Sequence, residues 1–112
     1  MINKDLVAAS ATPIVLSILS HGENYGYAII KRVKELSGGK IEWTEGMLYP
    51  VLHRLENQKL IKSNWKVPET GRKRKYYEIS KKGIEELEKH HNQWIQVYST
   101  LQRSMENNPC LT

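Results

Sequence analysis

Apolar side chains at Leu6, Ala9, Ile14, Val15, Ile18 and Leu19 recur with a helical period, which predicts a helix over residues 4–20. Pro13 interrupts it and either kinks one helix or opens a second behind an N-cap at Thr12. His21-Gly22 closes the segment. Ala28, Ile29, Val33 and Leu36 form the stripe of a second helix, YGYAIIKRVKELS, with Asn24 as its expected cap and Gly38-Gly39 as its stop. KIEW, residues 40–43, alternates and reads as an edge strand. Thr44 then caps a third helix, EGMLYPVLHRLENQK, whose Leu48, Val51, Leu52 and Leu55 face a core and whose Pro50 lies just past the first turn.

Beyond this point the period shortens to two. LIKSNWKV (60–67) and RKYYEIS (74–80) read as strands, and PETGRK joins them as a turn with Pro68 and Gly71. Together they predict a β-hairpin with a charged tip. Ser80 caps a final helix to about Asn107. The expected fold is mainly α with a small β-hairpin: a winged helix-turn-helix domain over residues 1–80, then a C-terminal dimerisation helix and tail over 81–112.

Composition narrows the function. A chain of 112 residues supports one domain, and 39% hydrophobic against 26% charged residues excludes a disordered polymer. The formal net charge of +5 points to a polyanion, nucleic acid before acidic membrane. The lone Cys110 cannot form an internal disulfide. MINKDLVAAS lacks the plan of a signal peptide, and ATPIVLSIL is far shorter than the roughly 20 residues of a membrane span, so a soluble cytoplasmic protein is expected. No phosphate-cradling glycine loop, paired carboxylates or nucleophile–base pair suggests an enzyme. Neither a cofactor nor a metal is expected: His53 has no second ligand at i+4, and His90 and His91 point apart on a helix.

The strings YGYAIIKRVKELSGG, TEGMLYPVLHRLENQKLI and RKRKYYEISKKG resemble the PadR-like family of bacterial transcriptional regulators, whose usual strings run close to YGYEI, SEGTLYPxLHRLExxGLI and RRKYYxLTxxG. The resemblance extends from about Leu6 to Trp94. Met47 stands where that family commonly has Thr, and Lys59 where a Gly commonly ends the helix. The length is similar to that of the short members with a single C-terminal helix, some of which bind flat aromatic drugs at the dimer centre.

With the apolar face of the third helix committed to a core, Thr44, Glu45, Gly46, Tyr49, Pro50, His53 and Arg54 are its candidate contacts to double-stranded DNA. In the wing, strand alternation places Arg72 and Arg74 on one side and Lys73 and Lys75 on the other. These four like charges repel one another until phosphates neutralise them. Tyr76 and Tyr77 point to opposite faces, and Tyr77 is assigned to the DNA side; Lys81 and Lys82 add to the basic field. Ile84, Leu87, His91, Trp94, Tyr98, Leu101 and Met105 follow alternating spacings of three and four, a seam of about three heptads that predicts a homodimer and a palindromic operator. By the resemblance, Trp94 and Tyr98 with the Ala9–Pro13–Ser17 face of the first helix would hold a planar aromatic effector, and the protein would act as a repressor. A winged-helix module for protein–protein contact is the alternative. The dense cations argue against it, because protein interface cores are depleted in charge.

Overall fold

The computed structural model describes residues 2–69, 71–106 and 110. Thr70 of the expected turn, and the helix end expected at Asn107, lie outside the described residues.

Helix α1 (Lys4–Ser20) runs unbroken through Pro13, and its N-cap is Asn3, whose side chain accepts from the amides of Asp5 and Leu6. Proline there removes one backbone donor, but the flanking turns keep their bonds and no second helix begins. Ala11, Val15, Leu16, Ile18 and Leu19 are buried, so this helix forms the centre of the domain and packs on the other three helices and the sheet.

Helix α2 (Gly26–Leu36) contributes Ile29 and Val33 to the core, and helix α3 (Glu45–Asn57) contributes Leu48, Leu52 and Leu55. Each fully buried leucine or isoleucine stabilises the fold by about 1.5–3 kcal/mol. Thr44 caps α3 as expected, accepting from the Met47 amide at 3.2 Å. Met47 itself is half-buried against the core rather than on the exposed side of the helix.

The sheet departs from expectation at its edge. Strands β2 (Ile61–Lys66) and β3 (Arg74–Ile79) form the hairpin, but the third strand is β1 (Asn24–Tyr25), paired antiparallel to β3. Asn24 therefore belongs to the sheet and does not cap α2; its side chain accepts from the Tyr25 amide instead. Residues 40–43 form no strand. Their alternation is real all the same, since Ile41 and Trp43 both turn inwards onto the core.

Lys59 adopts φ of 65°, the left-handed conformation that suits a helix-ending glycine. A lysine there costs roughly 1 kcal/mol relative to glycine. Past the hairpin, Ser80 caps helix α4 (Lys81–Met105), accepting from Gly83 N at 3.0 Å while its own amide donates to the Leu60 carbonyl at 2.9 Å. Gly83 is required by this joint. A Cβ there would lie 2.1 Å from the Leu60 carbonyl oxygen.

Candidate nucleic-acid interface

The pairing register sorts the wing into two faces. Ile61–Ile79, Ser63–Tyr77 and Trp65–Lys75 share one face, and Lys62–Glu78, Asn64–Tyr76 and Lys66–Arg74 the other. The first face looks at α3: Ser63 donates to the Glu56 carboxylate, and Lys75 Nζ stands 3.8 Å from it. Tyr77 is accordingly buried and only 4% exposed, which corrects its assignment to the DNA side. The hairpin lies with this face inward, so Tyr77 fills the gap to α3 and Tyr76 is the half-exposed ring of the pair.

Burial, then the neighbouring Tyr49 and the Glu56 carboxylate, push the Tyr77 phenol from 10.0 up to about 12. The protonated form is favoured in the folded chain. That stabilisation is complete below a pH of about 10 and is lost as pH rises towards about 12. Stability is expected to fall by about 2 kcal/mol across this window. Ultraviolet difference titration should show a tyrosine ionising near pH 12 that is lost in Tyr77→Phe.

The opposite face braces the wing. Arg74 stacks its guanidinium 4.4 Å from the Tyr25 ring centroid, Tyr25 meets Tyr76 edge-on, and Lys66 pairs with Glu23. The four cations of the tip are therefore not equivalent. Arg74 is stacked and Lys75 faces a carboxylate, whereas Arg72 and Lys73 are exposed and make no ion pair among the described residues. Lys82, exposed, donates to the Gln58 carbonyl at the end of α3 at 3.1 Å.

Beside this wing, α3 exposes Glu45, Gly46, Tyr49, Pro50 and His53. Arg54 is exposed as well, and two of these expected contacts also have partners within the fold. Arg54 bends back to donate to the buried Thr12 hydroxyl at 2.7 Å, tying α3 to α1. Tyr49 lies over Gly26, where an added Cβ would come within 2.6 Å of its hydroxyl. A side chain at position 26 would push the Tyr49 ring aside. Gly46 has no such packing reason, because a Cβ there would meet only the Thr44 hydroxyl at 3.9 Å.

On the far side of the domain, α4 leaves Ile84, Tyr98, Leu101 and Met105 exposed, with His91 among them; Leu87 and Trp94 are half-buried. Ile95 and Val97, outside the predicted seam, are exposed as well and widen the apolar stripe. A groove of about 650 Å³ runs between α1, α2 and α4. Pro13, Ser17 and Trp94 line it as expected, together with Ile14, Leu36 and Ile41, which the sequence did not suggest. Ala9 and Tyr98 are exposed outside it, because each lies round its helix or one turn too far along.

Three helices, a braced hairpin and a long trailing helix define a winged helix-turn-helix protein. A model of the PadR-like transcriptional regulator family matches residues 15–89. A solved transcriptional regulator from Clostridium thermocellum superposes with a TM-score of 0.85 at 28% identity, covering 95% of this chain and all (100%) of its own. A PadR-like transcriptional regulator from Bacillus cereus gives a TM-score of 0.82 at 30% identity, covering 94% of this chain and 100% of its own. The transcriptional regulator YqjI of Escherichia coli is 38% identical over 48 residues, 43% of this chain and 23% of that one. The chain belongs to the PadR-like family of transcriptional regulators. Its role is thus regulatory rather than enzymatic, and no helix among the described residues is long and apolar enough to cross a membrane.

Proposed function

We propose that two copies of this chain pair through α4 and bind duplex DNA as a repressor, with α3 in the major groove and the wing on the adjacent backbone. The observation that carries this reading is the arrangement of α3 and the wing. A capped helix with a low, exposed first turn lies beside a hairpin whose outermost cations, Arg72 and Lys73, lack acidic partners among the described residues. Unpaired amides at such a helix start suit a phosphate, and glycine at position 46 lets the backbone approach closely. The stripe on α4 supports pairing, since a run of exposed large apolar residues normally marks an interface. The groove beside Trp94 supports an effector site for a small planar or apolar molecule, which Ala9 and Tyr98 would join only across the pair.

The test combines light scattering at micromolar concentration with selection of bound fragments from genomic DNA, repeated with a panel of aromatic compounds. The expected particle has twice the 13.0 kDa chain mass. The recovered fragments should share a two-fold-symmetric motif with half-sites about 34 Å apart. A lone subunit that enriches no sequence would overturn the reading.

A further inference from the structure

Trp65 is 59% exposed, whereas Trp43 is buried and Trp94 is half-buried in the groove. It occupies the wing face that turns towards α3. The Ser63–Tyr77 rung on that face is packed against Glu56, and the Trp65–Lys75 rung follows two residues further out, about 7 Å beyond by strand rise. The indole therefore stands past the edge of the core, on the side of the hairpin that adjoins the exposed ridge of α3. Lys73 Nζ lies 5.2 Å from its ring centroid, and Lys75 is its cross-strand neighbour. Val67, also exposed, continues the apolar surface towards the tip.

A large ring left in water amid cations fits few partners. Protein interface cores are depleted in charge. Duplex DNA instead combines a dense anionic rail with apolar sugar edges and base faces, and proteins entering its minor groove use apolar side chains beside arginine and lysine. We propose that Trp65 is a nucleic-acid contact. Its indole packs against deoxyribose and base-edge surface at the minor groove while Arg72 and Lys73 hold the flanking phosphates. The proposal rests on the DNA-binding reading above and adds a residue to it.

The full chain labelled with 5-fluorotryptophan gives three fluorine resonances, and Trp65→Phe assigns the one of interest. On titration with a mixed-sequence duplex in dilute buffer, the Trp65 signal should shift, the Trp43 signal should stay, and high salt should reverse the change. In parallel, Trp65→Ala should bind the duplex about tenfold more weakly, with Trp65→Phe between it and the parent. The salt slope should be unchanged, because no charge is lost. Thermal unfolding of each variant separates loss of contact from loss of fold. If the parent binds duplex with an unmoved Trp65 resonance and the Ala variant binds equally well, the proposal is overturned while the DNA reading stands. If the parent binds no duplex at any salt concentration, both fall together.

Discussion

Alanine at Arg72 and Lys73 is expected to weaken binding to every duplex by a similar factor and to flatten its salt dependence. These two side chains are exposed and make no ion pair among the described residues, whereas Arg74 is stacked on Tyr25 and Lys75 faces Glu56. Across the two wings of the proposed pair the substitution removes four cations. If each neutralises one phosphate, the slope of log affinity against log salt falls by about 3–4. Between 50 and 200 mM salt the parent then loses about a hundredfold more affinity than the variant. Anisotropy titrations at several salt concentrations measure this directly. Alanine at Arg74 or Lys75 should behave differently. The first loses a stack on Tyr25 that braces the wing, and the second leaves Glu56 with Ser63 but without its cationic partner. A slope unchanged by the Arg72–Lys73 substitution would move the phosphate contacts off the tip.

Gly83→Ala is expected to destabilise the chain by about 3 kcal/mol or more. The new methyl would sit 2.1 Å from the Leu60 carbonyl oxygen and 2.7 Å from Ile79 Cγ1. The backbone oxygen cannot easily retreat, since it accepts from the Ser80 amide at 2.9 Å. For a domain of this size the loss corresponds to a fall in Tm of about 12–24 °C, measured at fixed protein concentration because pairing would itself stabilise. Gly46→Ala is the control. Its Cβ enters open space in a helix, so stability should hold or rise by up to about 1 kcal/mol. A Gly83→Ala variant as stable as the parent would mean that the joint relaxes without strain.

Features legible in the sequence were those decided by neighbours in the chain. Thr44 and Ser80 cap their helices because a hydroxyl three residues before a free amide needs no distant partner. The hairpin follows from alternation around a Pro–Gly turn. What escaped depends on packing between segments far apart. Alternation separates Tyr76 from Tyr77, but only the side on which the hairpin settles decides which is buried. The bond from Arg54 to Thr12, 42 positions away, could not be read until α1 brought that hydroxyl beside α3. The third strand went to Asn24–Tyr25 rather than to residues 40–43 because the free edge of β3 passes the start of α2. The groove between α1, α2 and α4 was half legible. Pro13, Ser17 and Trp94 in its walls came from the family resemblance, whereas Ile41 arrives from a loop with no regular signal.

The Leu60 carbonyl, gripped by Ser80 and overlain by Gly83, leaves no slack between the root of the wing and the first turn of α4. The two elements must swing as one lever. In the proposed pair, a rotation of the long helix would therefore carry the fingertips with it, and a rigid knuckle would stand in for a flexible hinge.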